Sequence, residues 1–206
     1  PPAPYAELMV TGNFSFLRGG SHGEELLGRA VALGLSGMGL ADRNSFAGVV
    51  KPHIALRELR DSNDPELKRR AEKFRYVVGT RLGFADGTPD ILAYPTDRAA
   101  FGRLARLLTT GNLRARKGEC ELHLEDLLCR VPPHEVISSW RNGIVELQPP
   151  PPDERFTDGQ LLVVHIDETQ FERGAETLRR LAARVPDRVW LAAACTHGGD
   201  DRARLN

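Results

Sequence analysis

Short apolar runs alternate with longer amphipathic stretches along most of the sequence. The apolar runs are bounded by glycine, proline or polar residues and are too short for confident helices, so they predict strands. They cover residues 5–10, 35–41, 76–82, 90–94, 161–166 and 189–194. Between them, apolar residues recur at helical spacing. These stretches predict helices over residues 21–34, 45–59, 96–109, 122–128 and 170–184.

This alternation of strand and helix is typical of a mainly parallel sheet or barrel with helices outside. Functional residues of such folds lie at the carboxyl ends of the strands. Here those ends are near Thr11, Asp42, Arg81 and Tyr94. We therefore expect any site to be built from residues at these positions.

Two segments interrupt the pattern. Residues 60–73 carry many charges and little apolar surface, which predicts a solvated insertion with a helical second half. Residues 149–152 are four consecutive prolines, which cannot donate to a sheet and predict a loop or rigid spacer. At 206 residues the whole chain fits one domain with an insertion.

Composition narrows the classes of function. Lys plus Arg equals Asp plus Glu at 28 each, so the overall charge favours no tight, unaided nucleic-acid binding. Three cysteines, Cys120, Cys129 and Cys195, lack the CxxC spacing of a structural zinc site and predict reduced thiols. No apolar run approaches 18 residues and no leader pattern opens the sequence. We expect a cytoplasmic protein that makes no membrane contact.

Other motifs that carry chemistry are weak or missing. The six histidines form no HxH or HExxH arrangement, and His197 with Cys195 is at most a weak chelating pair. There is no Walker loop, no GxGxxG and no repeat. One basic stretch is the best candidate for contact with nucleic acid or a partner, although a solvated helix face is the plainer interpretation. It comprises Arg98, Arg103, Arg106, Arg114, Arg116 and Lys117.

Three longer strings carry a family resemblance. They are AELMVTGNFSFL at 6–17, ALGLSGMGLADRNSFAG at 32–48 and DILAYPTDRAAFGRL at 90–104, with weaker support from 189–194 and 199–205. Together they resemble the PHP domain at the N-terminus of bacterial C-family DNA polymerases, in the form found in the error-prone subclass. Outside residues 60–73 the resemblance covers nearly the whole chain.

The resemblance implies a fold and a parent function. The fold is a distorted seven-stranded β/α barrel, mainly parallel, of which we expect this chain to lack the last part. The parent would be a Mg²⁺-using DNA polymerase, a nucleotidyltransferase of damage-induced mutagenesis and translesion synthesis, whose palm, fingers and thumb are absent from these residues. Its partners would be the rest of the polymerase chain, DNA through the parent, and accessory mutagenesis proteins.

The resemblance also locates a depleted metal site. Metal-dependent PHP domains hold ions with histidines and carboxylates at strand ends. The corresponding positions here are Met9, Thr11, Arg18, Asp42, Arg43, Arg81 and Asp90. Because only two of these are carboxylates and three are guanidinium groups, we expect arginine–carboxylate pairs instead of a bound metal, and no catalytic residue.

Alternatives stay open at this point. Asp42 could merely cap the turn after its strand while Arg43 points to solvent. The domain could also retain some metal-dependent phosphoesterase or 3′–5′ exonuclease activity, or act as a DNA-binding module through Arg103 and Arg106. Charge neutrality makes the last the weakest of the three.

Overall fold

The computed structural model describes residues 4–131, 136–141, 144–148, 153–166 and 170–192. The strands are β1 Ala6–Val10, β2 Gly37–Arg43, β3 Arg75–Leu82, β4 Ile91–Pro95, β5 Val136–Arg141, β6 Ile144–Gln148, β7 Gln160–His165 and β8 Val189–Ala192. The helices are α1 Gly23–Ala32, α2 Val50–Arg60, α3 Pro65–Lys73, α4 Arg98–Arg114, α5 Leu124–Leu128 and α6 Phe171–Ala182, followed by a 3-10 turn at Pro186–Arg188.

Six strands form one sheet in the order β1-β2-β3-β4-β7-β8, and β5 pairs with β6 in a separate hairpin. The β1–β2, β2–β3 and β7–β8 pairs are parallel, while β4 is antiparallel to both of its neighbours. Five strands of the sheet therefore run in one direction and β4 runs in the other. This confirms the α/β fold with a mainly parallel sheet.

The reversal of β4 decides which residues meet at the edge of the sheet. Asp90 precedes β4 and therefore lies beside the carboxyl ends of β3 and β7, where the His165 N–H donates to the Asp90 carbonyl at 2.9 Å. Tyr94 lies toward the other end of β4, so the expectation of Tyr94 at the functional edge is wrong. The sequence pattern predicted a mainly parallel sheet and could not indicate that β4 runs in the opposite direction.

The sheet is strongly curled. The Tyr94 hydroxyl of β4 donates to the Leu8 carbonyl of β1, three strands away. Residues of the two outer strands, among them Met9 and Trp190, line the same concave cavity of about 600 Å³. Within the described ranges six strands make this sheet and β1 does not pair with β8. That the barrel is incomplete in this chain stays a prediction, since residues 193–206 lie outside the described ranges.

Helices cover the convex face of the sheet in two groups. α1, α2 and α3 pack on one half through residues such as Leu27, Leu56 and Phe74. α4, α5 and α6 pack on the other half through Leu107, Leu127 and Leu181 among others. Burying these apolar side chains supplies most of the driving force for folding. The result is a rigid frame that holds the strand ends in fixed positions.

Several element boundaries differ from the sequence-based expectation. Residues 45–49 are a turn in which the Val49 N–H donates to Phe46, so α2 begins at Val50. Helix α4 continues to Arg114 because the apolar face that buries Leu104 and Leu108 extends as far as Gly111. The β5–β6 hairpin was not expected at all. The proline stretch 149–152 lies outside the described residues.

The predicted insertion at 60–73 has the expected helical second half, α3. It is not wholly solvated, however, because Ala71 is fully buried and the Arg60 guanidinium donates to the Ala71 and Phe74 carbonyls at 3.1 and 3.3 Å. Asp64 caps α3 by accepting from the backbone N–H groups of Glu66 and Leu67. That this segment is an addition to the family fold stays a prediction.

Candidate functional site

Asp42 organises the carboxyl edge of the sheet. Its side chain is buried at the end of β2, and its Oδ1 accepts from the Gly12 N–H at 2.8 Å and from the Ser15 hydroxyl at 2.7 Å. The Ser15 hydroxyl in turn accepts from the Arg43 N–H at 2.8 Å, and Thr80 donates to the Asp42 carbonyl at 3.0 Å. Asp42 thus ties the loop after β1 to the ends of β2 and β3.

The second carboxylate oxygen of Asp42 is different. Oδ2 is buried without a hydrogen-bond partner among the described residues. It lies close to Gly12 and Gly48, where a Cβ would come within 3.2 and 2.8 Å of it. A buried, unpartnered carboxylate oxygen is costly and is therefore a possible point of contact for a ligand.

Three guanidinium groups converge on Asp90, the other carboxylate of the site. Arg43 Nη1 donates to both carboxylate oxygens at 2.8 and 2.9 Å. Arg81 Nη1 and Arg18 Nη1 lie 3.8 and 4.0 Å from Oδ2. The Arg81 side chain is 13% exposed and that of Asp90 19%, so solvent screens this cluster only partly. We call Arg18, Arg43, Arg81 and Asp90 the arginine cluster.

Gly83 makes room for this arrangement. A Cβ at residue 83 would lie 2.2 Å from the guanidinium carbon of Arg43. The side chain of Arg43 thus crosses the backbone at Gly83, and a side chain at residue 83 would displace its guanidinium group. Asn44 adopts a left-handed conformation with φ of 47° and exchanges side-chain hydrogen bonds with the Gly83 N–H and carbonyl, which holds this crossing in place.

The remaining two positions of the predicted site lie farther along the same edge or inside the sheet. Met9 packs in the concave apolar cluster with Leu92 and Tyr94. Thr11 directly follows β1, and its carbonyl lies 2.8 Å from where a Cβ on Gly19 would be. The structure therefore brings Arg18, Asp42, Arg43, Arg81 and Asp90 to one edge and leaves Met9 on the apolar side.

Two tyrosines of the sheet, the partly buried Tyr76 and the buried Tyr94, donate hydrogen bonds to backbone carbonyls. Tyr76 donates to the Val49 carbonyl at 3.1 Å, and Tyr94 donates to Leu8. Burial raises the pKa of the Tyr76 phenol, and the negative charge of Asp42 raises it further. Burial also raises the pKa of Tyr94, against a smaller opposing effect of Arg81. Both phenols stay protonated in the native state well into alkaline conditions.

The arginine cluster disfavours a metal ion. Guanidinium groups stay protonated in proteins and repel a cation from the space they surround. Within the described ranges no three His, Cys, Asp or Glu residues are placed to share an ion. The residues around Asp90 therefore do not fit a bound metal ion of the kind that metal-dependent PHP domains hold.

The predicted basic stretch does not form one continuous surface. Arg103 pairs with Glu154 and donates to the Asp158 carbonyl, and Arg114 makes two hydrogen bonds to Asp126 at 2.8 and 2.9 Å. Burial lowers the pKa of Arg106. Arg98 and Arg114 lie at opposite ends of α4, so they belong to different parts of the surface.

Arg116 and Lys117 instead line a cleft of about 880 Å³ beside the arginine cluster. Arg43 lines the same cleft, together with Phe14 and Cys120 and with the acidic Glu119 and Glu121. The acidic neighbours offset much of the positive charge of Arg116 and Lys117, which weakens the case for nucleic-acid contact. Contact of these two residues with nucleic acid or a partner stays a prediction.

Sequence reasoning missed three contributors to the site: Ser15, Gly83 and His165. Ser15 links Asp42 to Arg43, Gly83 admits Arg43, and the His165 backbone bonds Asp90. The family strings include Ser15, but nothing in its spacing indicates a carboxylate partner 27 residues away. Cys120 and Cys129 are free thiols, and burial raises the pKa of both. Cys195 and His197 lie outside the described residues.

Comparisons with known proteins give close relatives by sequence. The chain is 44% identical over 223 residues to an error-prone DNA polymerase of Rhodopseudomonas palustris (strain HaA2), which covers 98% of this chain and 18% of the relative. It is 42% identical to the error-prone DNA polymerase of Brucella abortus, over 98% of this chain and 16% of the relative. For that of Caulobacter vibrioides the identity is 43%, over 99% and 15%. No family model matches.

Solved structures are more distant. A putative metal-dependent phosphoesterase from Bifidobacterium adolescentis superposes with a TM-score of 0.47 at 14% identity, covering 94% of this chain and 88% of that one. An amidohydrolase from Chromobacterium violaceum gives 0.48 at 16% identity, covering 97% and 81%. Neither likeness is close enough to carry an argument. No helix in the described part of the chain is long and apolar enough to cross a membrane.

Proposed function

Because this chain belongs to the error-prone DNA polymerases and spans 15–18% of the length of the relatives it matches, we propose that it is their PHP domain, with a structural role. In this role the domain holds its strand ends together with an arginine–carboxylate cluster where a metal-dependent relative would bind ions. It contributes no hydrolytic chemistry of its own.

The convergence of three guanidinium groups on Asp90 is the observation that carries this proposal. Arg43 donates to both oxygens of the carboxylate, and Arg18 and Arg81 lie within 4.0 Å of one of them. Such contacts satisfy the charge of the carboxylate without a cation. They also connect the loop after β1 with the ends of β2 and β3 and the start of β4.

The parent protein is proposed to add nucleotides as a Mg²⁺-dependent DNA polymerase in the cytoplasm, during mutagenic synthesis across damaged DNA. The names of the relatives support the polymerase, and the share of their length that this chain spans supports a much larger parent. DNA would be bound by the parent, and accessory mutagenesis proteins would act with it. Lesion bypass and DNA repair belong to the same proposal.

One observation favours a second candidate, a residual metal-dependent phosphoesterase or 3′–5′ exonuclease. Asp42 Oδ2 is buried and unpartnered among the described residues, which is the state expected of a carboxylate that accepts a ligand. Against this candidate, a metal site needs several ligands, and the neighbouring positions carry arginines.

An activity assay separates the two candidates. The 206-residue chain is incubated with Mn²⁺ or Zn²⁺ and a phosphomonoester, a phosphodiester or a labelled single-stranded DNA. We expect hydrolysis no faster than with the metal alone, because no described donor set supports a metal-bound nucleophile. Turnover that is abolished by Asp42→Ala but kept by Asp61→Ala, an exposed aspartate at the end of α2, would establish the phosphoesterase.

A further inference from the structure

The loop between β1 and α1 exposes three large apolar side chains. Phe14 is 47% exposed, Phe16 85% and Leu17 89%. They lie within four consecutive residues, 14–17, at the carboxyl edge of the sheet and next to Arg18 of the arginine cluster. We call these three residues the apolar tip. Single exposed apolar residues are common on proteins, but a group of this kind on one loop marks an interaction surface.

The loop that carries the apolar tip is held in place. Asp42 fixes its start and middle through the Gly12 N–H and the Ser15 hydroxyl. Backbone hydrogen bonds from Ser15 to Gly12, from Arg18 to Ser15 and from Gly19 to Ser15 close successive turns at 2.9–3.1 Å. The tip is thus presented in one conformation, which lowers the entropic cost of binding.

Leu17 also carries backbone strain. Its φ is 59°, in the left-handed region that leucine adopts at a cost of about 1 kcal/mol or more. Glycine or asparagine would relieve this strain. Strain that is kept at an exposed position favours a role for Leu17 in a contact outside the described residues.

We propose that the apolar tip docks the domain onto the remainder of the polymerase chain, and this proposal rests on the proposed function. The length of the relatives supplies this occupant, since more than four fifths of each lies outside the segment that this chain matches. Phe14 lines the cleft that also contains Arg43, so the docked polymerase covers the mouth of the arginine cluster.

The small size of the tip argues against a second copy of this chain. At roughly 200 Å² for each aromatic side chain, the tip offers on the order of 400 Å². A standard interface between separate molecules buries about 800 Å² on each partner. A covalently linked body reaches an effective concentration in the millimolar range, and a small apolar contact is then enough.

The charge distribution argues against DNA as the occupant. The tip itself is uncharged and its nearest cation, Arg18, already faces Asp90 at 4.0 Å. The chain as a whole has a formal net charge of zero. Phosphate contacts dominate nucleic-acid affinity, and the tip supplies none.

The test uses a full-length polymerase that contains this chain, with Phe16→Ser and Leu17→Asn combined. Limited proteolysis should release the domain roughly tenfold faster than from the wild type, because two apolar side chains lose their contact. Leu113→Ser is the matched control, since Leu113 is 83% exposed on α4, and its release rate should not change.

Leu17→Asn alone gives an independent check. In the 206-residue chain it should raise the unfolding midpoint because the strain is relieved, while in the full-length protein it should speed release of the domain. An unchanged release rate in the double variant overturns the proposal. The proposal is also overturned if the wild type shows a molecular mass that rises with concentration and the double variant does not, because that result indicates a second copy. It is likewise overturned if the double variant loses affinity for single-stranded DNA while its release rate is unchanged. None of these outcomes depends on the phosphodiester assay.

Discussion

Asp90 and its three arginines show how a carboxylate at this edge of the sheet is balanced by guanidinium groups. An isolated buried carboxylate is costly, and guanidinium groups satisfy it with charge-assisted hydrogen bonds. Arg43 bears most of this role, because it alone makes short contacts to both oxygens. We expect this partly buried pair to be needed for an intact edge of the sheet and to add little net stability.

Removing the negative charge at Asp90 should destabilise the domain. In Asp90→Asn the amide cannot balance three converging guanidinium groups, and we expect a loss of about 2 kcal/mol in the free energy of unfolding, measured with urea. Glu176→Gln breaks an exposed pair with Arg179 and should cost less than about 0.5 kcal/mol. Equal losses in the two variants would show that the arginine cluster has no special role.

Individual site residues were predictable only through the family resemblance, and Arg18 and Arg81, which lie outside the three strings, came from the same correspondence of positions. Asp42, Arg43 and Asp90 follow from the strings, and their charges suggested ion pairs. The partner of Asp42 could not be predicted, because a serine at residue 15 reaches it only through the turn that the β1–α1 loop adopts. Gly83 was equally invisible, since its importance lies in the space that it leaves for a side chain 40 residues earlier.

At the scale of elements, the sequence predicted the six strands of the main sheet and most helices, because period-2 and period-3.6 patterns are local. The direction of a strand within a sheet does not follow from a local pattern. Because β4 is antiparallel to β3, Asp90 and not Tyr94 lies at the functional edge. The β5–β6 hairpin was missed because it lies among turn residues before the proline stretch.

The partly buried Tyr76 and the buried Tyr94 tie elements together and make the stability of the domain depend on pH in the alkaline range. Tyr76 joins β3 to the turn before α2, and Tyr94 joins β4 to β1. Their native pKa values lie above the ordinary 10.0, so the native state keeps protons that the unfolded state loses. Stability is then full below pH 10 and falls above it by up to about 1.4 kcal/mol per pH unit for each tyrosine.

Urea unfolding at pH 8, 10 and 11 measures this dependence. In a Tyr76→Phe, Tyr94→Phe double variant, stability at pH 8 should be lower by about 1 kcal/mol for each lost hydrogen bond, and the decline above pH 10 should be smaller. Tyr5→Phe is the comparison, since Tyr5 is 59% exposed and its pKa is raised by its hydrogen bond to Glu7 more than by burial. A double variant that loses stability as steeply as the wild type would refute the assignment.

At the scale of the whole molecule, the described part of the chain is built on a curled six-stranded sheet with β1 and β8 at its two edges. Its helices cover the convex face, its concave face holds an apolar cavity between β1 and β8, and its carboxyl edge is closed by the arginine cluster. The apolar tip is the proposed place of contact with the remainder of the polymerase chain. All of these features agree with a structural element of the parent.

Metal content is the most direct test of the central claim that arginines have replaced the ions of this site. The 206-residue chain is purified after growth with added Mn²⁺ or Zn²⁺, desalted, and analysed by inductively coupled plasma mass spectrometry. We expect no stoichiometric metal, because Arg18, Arg43 and Arg81 repel a cation from Asp90. One or more ions per chain, lost in both Asp42→Ala and Asp90→Ala, would contradict the account.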